Sequence, residues 1–469
     1  MDMKKIKTDV LVSSLLVVAA FIAAGVSINA RSVTYDGALY IDIARNLLHG
    51  ITNYTYQGYY MMYRPPGYVY TLYFVFHFTS LSPSSLLTTA KLVSALFYGL
   101  TAGLVYYFAL AVWGDRVKAA GASALYIANP LAFSMATRGL VHSEFTFFYT
   151  LSLYLLYTGR RLGDKRRIYA SFVVAGVSIL TRYTGLSVLA VIVTYLYMTE
   201  YWGWVKKKEY GIGALLTLLV LTPWLYLGRL HYGGALMPFS TATKYVTHAP
   251  PVSAFDYISS LASVLGIILL LTLFGMVLLK QNEEGWLLIS WFLIGFIGIL
   301  TVTHKETRFV TFLSPVMAML SAHALWTLGE WTRTLVNWKE RRDLKPAVFL
   351  VLLILVLIPT VHSAINMRSI WDERGSAYVN AFEYARMNYP ASWLLVSPKA
   401  YTIAGLYYPH STIQIIIPRQ QVKERVKNGR YDIIVRLKSD PNVGVLESGR
   451  YREVKEFGHG TVQIFIKRS

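Results

Sequence analysis

Apolar stretches long enough to cross a lipid bilayer recur along most of this sequence, and no other feature constrains its fold as strongly. A helix rises about 1.5 Å per residue, so roughly 20 apolar residues cross a hydrocarbon core of about 30 Å. The candidate stretches in the 469 residues are 8–28, 92–113, 119–136, 145–158, 168–181, 186–201, 212–230, 257–280, 286–303, 309–328 and 347–362. The sequence therefore predicts a polytopic α-helical membrane protein with about 11 transmembrane helices.

The composition agrees with this fold class. Hydrophobic residues make up 55% of the chain and charged residues 15%, whereas soluble proteins carry roughly 25% charged residues. The first stretch, 8–28, follows Lys4, Lys5 and Lys7 and resembles a signal peptide in this respect. It is longer than the usual apolar core of a signal peptide, so we predict a retained transmembrane helix.

The basic residues predict the orientation in the membrane. A net charge of +20 would suggest nucleic-acid binding in a soluble protein. Here the lysines and arginines cluster in short loops such as 115–118, 159–167 and 204–210, which is the positive-inside pattern. We therefore predict no nucleic-acid partner, a multi-pass protein of the plasma membrane, a cytoplasmic N-terminus and an extracytoplasmic C-terminus. The absence of cysteine excludes disulfides and thiolate metal sites.

Two domains follow from the change in hydropathy after residue 364. Residues 1–364 form the predicted transmembrane domain, with a long first outer loop at 31–90. Residues 365–469 form a predicted small extracytoplasmic α/β domain, because strand-like and helical patterns alternate there. The predicted strands are 393–397, 411–417, 431–437 and 461–467, and the predicted helices are 377–388 and 418–429.

The first outer loop begins with Asp36 and an amphipathic stretch. Apolar residues stand at positions 40, 41, 43, 44, 47 and 48, which is helical spacing. The opposite face carries Asp42, Arg45, Asn46 and His49. We predict an interfacial helix that lies in the membrane plane with its apolar face in lipid. Asp36, at its start, is either the N-cap residue or a functional carboxylate.

The stretch 53–70 contains seven tyrosines, including Tyr63 and Tyr68. Such a set forms either an aromatic belt at the membrane surface or a wall on which sugars stack. Within it, Arg64 precedes Pro65, Pro66 and Gly67, so a guanidinium is held on a rigid turn. Arginine binds phosphate through paired donors, although an arginine beside lipid headgroups would look the same in sequence.

Further charged residues stand at the other predicted outer loops. Glu144 follows Arg138 and His142, and Arg182 stands at the tip of the short hairpin 168–201. The turn 304–308 carries His304, Glu306 and Arg308. The structural alternatives are a helix-terminal role for Glu144, an interface anchor for Arg182 if the hairpin helices are longer, and a solvated charged turn for 304–308. A divalent cation held by Asp36, His142, Glu144 and Glu306 is possible, but the spacing does not require one.

The order of these features resembles the GT-C integral membrane glycosyltransferases. An outward Asp after the first span, an interfacial helix and an Arg-Pro-Pro turn are similar to the dolichyl-phosphate-mannose protein mannosyltransferase superfamily and to its aminoarabinose transferase relatives. The resemblance is best over residues 31–70. The family often has Asp-Glu where this chain has Asp36-Gly37, so the acid that directly follows Asp36 in the family is missing here.

The resemblance implies transfer of a sugar from a polyprenyl phosphate (dolichyl or undecaprenyl) to an acceptor hydroxyl on the extracytoplasmic face, with inversion. It assigns Asp36 as the catalytic base and Glu144 as a second acid. It places Arg64 on the carrier phosphate, and Arg308, which precedes a helix with Pro315, fits the family pattern loosely. Apart from the resemblance, Arg182 is a candidate phosphate ligand if the hairpin tip is recessed, and Tyr63, Tyr68 and His304 are candidate substrate contacts. The acceptor would be a glycan, a lipid or a protein. The alternative is a transporter or flippase of lipid-linked sugars, for which the sequence shows no internal symmetry.

Overall fold

The computed structural model describes residues 3–247, 249–335, 344–389 and 393–468. The first part of the membrane domain contains α1 (Met3–Val26), α2 (Tyr35–Leu47), α3 (Pro66–Phe76), α4 (Pro83–Trp113), α5 (Arg116–Ala128), α6 (Pro130–Ala136), α7 (His142–Leu162), α8 (Lys165–Thr181), α9 (Leu186–Glu200) and α10 (Lys208–His231). It continues with α11 (Met237–Thr247), α12 (Ala254–Leu265), α13 (Ile267–Val277), α14 (Glu283–Leu300), α15 (Ser314–Leu335) and α16 (Leu344–Asn388). A hairpin of β1 (Thr55–Tyr56) and β2 (Tyr59–Tyr60) lies in the first outer loop.

The number of spanning helices differs from the predicted one. Among the described residues, six helices are long and apolar enough to cross a membrane, or up to seven if the bent pair α12 and α13 is one span. The predicted stretches 145–158, 168–181 and 186–201 are helical in α7, α8 and α9 but do not belong to these six. The helical membrane fold is therefore confirmed, whereas the count of about 11 is not.

Two predicted spans are interrupted for identifiable reasons. The stretch 119–136 divides between α5 and α6, where Pro130 begins a new helix and the Asn129 Oδ1 atom accepts from the backbone N–H groups of Leu131 and Ala132. The stretch 257–280 bends by 104° between α12 and α13 at Gly266, whose φ of +51° favours glycine. Hydropathy cannot detect either change of direction.

The helix α2 is buried within the protein, so the prediction that its apolar face lies in lipid is wrong. Leu39, Ile41 and Ile43 are at most 1% exposed. On the other face, Asp42 is also completely buried. The C-terminal domain covers that face through contacts described below, and these contacts are not visible in local periodicity.

The C-terminal α/β domain is reached without a linker. Residues 347–362 and 377–388, predicted as separate helices, both belong to α16, which has 45 residues. The domain then contains β3 (Leu394–Val396), α17 (Tyr401–Tyr407), β4 (Ile413–Ile415), α18 (Gln420–Lys427), β5 (Ile433–Leu437), β6 (Tyr451–Phe457) and β7 (Val462–Lys467). The sheet order is β4-β3-β5-β7-β6.

The predicted strands of this domain correspond to β3, β4, β5 and β7, and the predicted helix 418–429 corresponds to α18. Strand β6 and helix α17 were not predicted from the sequence. Strand β6 is at the edge of the sheet and exposes most of its charged residues, so it lacks the apolar run that marks a buried strand. Helix α17 has only seven residues, which is too short for a periodic signal.

Candidate active site

The site begins at the first turn of α2, where Thr34 is the N-cap residue. The Thr34 Oγ1 atom accepts a hydrogen bond from the backbone N–H of Gly37 at 3.0 Å. The carboxylate of Asp36 is therefore not needed for capping, and the N-cap alternative raised from the sequence is wrong. Asp36 remains in the first turn, where the helix dipole favours a negative charge.

Two arginines bind the Asp36 carboxylate, one on each oxygen. Arg64 Nη2 lies 2.7 Å from Oδ1, and Arg308 Nη1 lies 2.9 Å from Oδ2. These residues are 28 and 272 positions away in the sequence, by subtraction of their numbers. Two of the three arginines considered for the carrier phosphate, Arg64 and Arg308, are thus in direct contact with Asp36.

This arrangement determines the protonation state of Asp36. Burial raises the pKa of the Asp36 carboxyl, but the positive charges of Arg64 and Arg308 and their hydrogen bonds outweigh burial. The net pKa lies well below its usual range. Asp36 is consequently an anion at neutral pH, and it is a weak base for as long as both arginines are bound to it.

The turn that carries Arg64 is held in place by aromatic hydroxyls. The Tyr54 hydroxyl donates to the carbonyl oxygens of Arg64 and Pro65, each at 3.1 Å. The Tyr183 hydroxyl donates to the Met62 carbonyl at 2.6 Å. Pro66 occupies the first turn of α3, where a missing N–H costs nothing. The guanidinium of Arg64 therefore projects from a backbone that is fixed on both sides.

Gly67 lets α3 approach the C-terminal end of α8 closely. A Cβ atom on Gly67 would lie 2.7 Å from Thr181 Oγ1 and 2.8 Å from Thr181 Cα. Only a residue without a side chain fits this contact. Because Thr181 precedes Arg182, this contact brings the Arg64 turn and Arg182 to the same cavity.

Replacing Gly67 by Ala is therefore expected to destabilise the fold by about 1–3 kcal/mol, the usual cost of overpacking. The measurement is the thermal unfolding of the purified protein in detergent. Gly25→Ala is the matched control, since its Cβ would meet nothing within 4 Å and alanine favours the helix α1. Equal unfolding temperatures for both variants would show that the contact between α3 and α8 is looser than described.

The environment of the Arg182 guanidinium differs from that of Arg64 and Arg308. Arg182 Nη1 lies 2.7 Å from His142 Nδ1, and its guanidinium carbon lies 4.9 Å from the centre of the Phe309 ring. Within the described part of the chain, no carboxylate lies within ion-pair distance of Arg182. Burial lowers the pKa of Arg182 to about 10, so the group is still a cation at neutral pH.

Arg308 has a second acidic partner in its own turn. Its Nε lies 2.7 Å from Glu306 Oε2, and His304 Nε2 lies 3.4 Å from Glu306 Oε1. The other ring nitrogen of His304 lies 2.8 Å from the Pro250 carbonyl. Both His304 and Glu306 line the same cavity as Asp36, so the predicted charged turn faces the site.

These groups surround a cavity of about 410 Å³. Its lining contains the cations Arg64, Arg182 and Arg308 but only the carboxylates Asp36 and Glu306. The cationic side chains thus outnumber the anionic ones by one, without counting histidine. A cavity of this composition is suited to an anion of one or two charges.

The walls of the cavity are aromatic. Tyr63 stacks on Tyr245 of α11 with ring centres 4.4 Å apart, and the Arg64 guanidinium lies 5.2 Å from the Tyr63 ring. Tyr35 and Tyr40 also line the cavity. Tyr63 was among the residues predicted for the site, whereas Tyr245 was not.

An apolar groove of about 520 Å³ continues from the cavity. The two share Arg182, Tyr183, Thr184, Ala242 and Phe309. Further along, the groove is lined mainly by apolar or small residues, among them Leu186, Phe239, Gly295, Ile299 and Phe312. The site therefore joins a charged end to an apolar end.

Two residues predicted for the site do not line this cavity. Tyr68 is completely buried, and its hydroxyl donates to the Ala90 carbonyl at 3.0 Å. Glu144 is 1% exposed and accepts a hydrogen bond from Thr71 Oγ1 at 3.2 Å. Both side chains point into the helix packing behind the cavity, so neither is placed to touch a ligand there.

The four residues considered for a cation are not gathered together. Among the described residues, no group of three acidic or histidine side chains is close enough to hold a metal ion. Glu144 lies outside the cavity, and both Asp36 oxygens already accept from guanidinium groups. This donor set fits an anion bound by the arginines rather than a cation bound by Asp36.

Gly37 occupies the position where the resembling family often has a second acid. A Cβ atom there would lie 3.0 Å from Thr34 Oγ1 and 3.5 Å from the carbonyls of Arg138 and Gly139. A side chain at this position would require Thr34 Oγ1 to shift by a few tenths of an ångström.

The sequence matches one known family over part of its length. The profile of the family described as dolichyl-phosphate-mannose-protein mannosyltransferase matches residues 64–227. This region begins at Arg64 and includes Arg182. No curated protein matches the sequence.

Solved structures match over nearly the whole chain. ArnT from Cupriavidus metallidurans, bound to undecaprenyl phosphate, matches with a TM-score of 0.71 and 14% identity over 96% of this chain and 97% of that one. The oligosaccharyltransferase AglB from Archaeoglobus fulgidus, in complex with an inhibitory peptide and a dolichol-phosphate, matches with a TM-score of 0.60 and 14% identity. The latter match covers 97% of this chain and 74% of that one.

The family profile matches part of the chain, and the structural matches show that nearly the whole chain shares the fold of ArnT and AglB. The resemblance predicted from the first outer loop is confirmed at this level. The chain has the helical fold of ArnT, with a small C-terminal sheet domain.

Proposed function

We propose that this protein transfers a sugar from a polyprenyl phosphate to an acceptor hydroxyl on the extracytoplasmic face of the membrane. The observation that carries the proposal is the cavity itself. It contains Asp36 bound by two arginines and a third arginine, Arg182, that has no carboxylate partner in the described residues, and it opens into an apolar groove. A lipid-linked phosphosugar has the same two parts, an anionic head and an apolar chain.

The phosphate binds between the guanidinium groups in this proposal. Arg182 is the first donor, because no carboxylate competes for it. Arg64 and Arg308 then exchange part of their contact with Asp36 for contact with the phosphate. Arginine forms paired hydrogen bonds with phosphate oxygens, so three guanidinium groups can neutralise the leaving group as its charge develops.

The chemical step uses the carboxylate that this exchange releases. Asp36 takes the proton of the acceptor hydroxyl while the acceptor oxygen attacks the anomeric carbon. The bond between that carbon and the phosphate oxygen breaks, and the polyprenyl phosphate leaves with the electron pair. Attack opposite the leaving group inverts the anomeric configuration. Asp36 afterwards returns its proton to water.

The groove accommodates the first isoprene units of the carrier. Its lining beyond Arg182 is mostly apolar, and Gly295 and Gly298 add no side chain to narrow it. The ArnT and AglB structures contain undecaprenyl phosphate and a dolichol-phosphate, respectively, which supports a carrier of this class here. Tyr63 and Tyr245 are placed to stack against the sugar.

The test is sugar transfer by the protein reconstituted in proteoliposomes. A panel of radiolabelled undecaprenyl and dolichyl phosphate sugars serves as donors, and a crude membrane fraction provides acceptors. We expect label to move from lipid to an acceptor with at least one donor. Label that crosses the bilayer while remaining on the carrier would instead identify a flippase and overturn the proposal.

A further inference from the structure

A buried acid–histidine pair joins the helix of Asp36 to the C-terminal domain, and the proposed chemistry does not use it. Asp42 of α2 is completely buried. His410 Nε2 lies 2.6 Å from Asp42 Oδ2, and Arg45 donates to the other carboxylate oxygen. Since one partner is a carboxylate, the proton of this contact is on His410 Nε2.

Arg45 extends this pair to the end of α17. Its Nη2 donates to the Gly405 carbonyl at 2.9 Å, and its Nη1 donates to the Leu406 carbonyl at 3.4 Å. These carbonyls belong to the last turn of α17, where helix carbonyls lack internal partners and a cation is favourable. One arginine therefore binds the acid of one domain and the helix terminus of the other.

The fit around His410 is close. A Cβ atom on Gly405 would lie 2.1 Å from the Cε1 atom of the His410 ring. The ring also makes an edge contact with Tyr56 of β1 at 4.7 Å between centres. The histidine is thus enclosed by α17 on one side and by the loop that leads to Arg64 on the other.

A second contact reaches the residue next to Asp36. The Thr402 hydroxyl of α17 donates to the Tyr35 carbonyl at 3.2 Å. The C-terminal domain therefore touches α2 both at its first residue and at Asp42. Six residues separate Asp36 from Asp42, which is roughly 240° around the helix and about 9 Å along it. The domain holds one face of α2 while Asp36 faces the cavity from another.

We infer that Asp42, Arg45 and His410 position the catalytic base, and that the C-terminal domain fixes the rotation of α2 through them. His410 is the positioning residue of this set, because its ring is the part of the C-terminal domain that contacts the Asp42 carboxylate. Buried ion pairs contribute little net stability, and their best-attested role is to specify one arrangement over another. Here the specified arrangement keeps Asp36 between Arg64 and Arg308.

The inference rests on the proposed function for its activity measurement, but not for its structural measurement. The variants are His410→Ala and His410→Gln, the latter because its amide can donate to Asp42 from a similar position. Lys438→Ala is the matched control: it breaks the exposed pair of Lys438 with Glu456, at 3.0 Å, in the same domain. Three quantities are measured for each: hydrogen exchange of α2 amides, binding of undecaprenyl phosphate, and sugar transfer with the donor that wild type uses.

We expect His410→Ala to speed hydrogen exchange in α2 and to slow transfer by about 10- to 100-fold, because small displacements of a catalytic group have effects of this size. Binding of undecaprenyl phosphate should not weaken by more than about twofold, since Arg182 is not linked to α2 by these contacts and a displaced Asp36 competes no more strongly for Arg64 and Arg308. His410→Gln should restore most of the transfer rate, and Lys438→Ala should match wild type in all three measurements.

Two results would overturn the inference. One is wild-type exchange in α2 with wild-type transfer in His410→Ala. The other is a loss of transfer in His410→Ala that matches its loss of folded protein and is not restored in His410→Gln. That result would show that His410 has only a structural role. If wild type transfers no sugar, the proposed function fails, and exchange in α2 still decides whether His410 holds this helix.

Discussion

Asp36→Asn should reduce sugar transfer by about 10²- to 10⁴-fold, the range that a general base contributes. Asparagine keeps the size of the side chain and one acceptor oxygen, but it cannot take the proton of the acceptor hydroxyl. The rate is measured in single-turnover transfer from the labelled donor in proteoliposomes. Asp9→Asn is the control, because Asp9 lies in α1, is paired with Arg116 of α5 and does not line the cavity.

The same variant should bind undecaprenyl phosphate as tightly as wild type or more tightly. Arg64 and Arg308 are each within 2.9 Å of a carboxylate oxygen of Asp36, so the carboxylate competes with the carrier phosphate for both. A neutral amide competes less. Unchanged transfer by Asp36→Asn would remove Asp36 from the mechanism, and weaker binding would contradict the proposed competition.

Arg182→Gln should weaken the binding of undecaprenyl phosphate by about 10- to 100-fold. A hydrogen bond to a charged group contributes about 1.5–3 kcal/mol, and 1.4 kcal/mol corresponds to a factor of ten. Arg182 is expected to have the largest effect on binding, since wild type need not first break an ion pair to use it. Binding is measured by equilibrium titration of the purified protein with undecaprenyl phosphate.

Arg116→Gln is the matched control for Arg182→Gln. It also removes one guanidinium, but from the pair with Asp9, so carrier binding should remain at the wild-type level. The affinity of Arg182→Lys for undecaprenyl phosphate should lie between those of Arg182→Gln and Arg116→Gln, because lysine keeps the charge but lacks the planar pair of donors. Wild-type affinity in Arg182→Gln would place the carrier phosphate elsewhere and leave Arg182 as a partner of His142 only.

The residues that meet in the cavity were largely visible in the sequence because charge is rare in such an apolar chain. Asp36, Arg64, Arg182 and Arg308 each follow or precede an apolar helix at a predicted outer loop, so topology alone brings them to one side of the membrane. Their pairing was not visible. Nothing local indicates that Asp36 binds both Arg64 and Arg308 while Arg182 binds His142.

The errors have a common physical origin in contacts between distant segments. Asp42 was assigned to an exposed polar face, but its partner His410 is 368 residues away. Tyr68 belongs to a tyrosine-rich stretch, yet the direction of its side chain depends on how α3 packs against Ala90 in α4. Periodicity identifies the faces of a helix, whereas the neighbour of each face is decided by the rest of the chain.

Under the proposed positioning of Asp36, the continuous helix α16 makes the spacing between the two domains part of the geometry of the site. An added residue in a helix turns everything after it by roughly 100° and moves it about 1.5 Å. An insertion between the membrane part of α16 and Asn388 would therefore rotate and shift the sheet domain relative to α2. Homologous proteins with this architecture should conserve the length of the helix, or vary it by about seven residues, two whole turns, together with a matching change in the first outer loop. The length of a membrane helix is usually related to bilayer thickness. The length of α16 additionally determines where the sheet domain contacts α2.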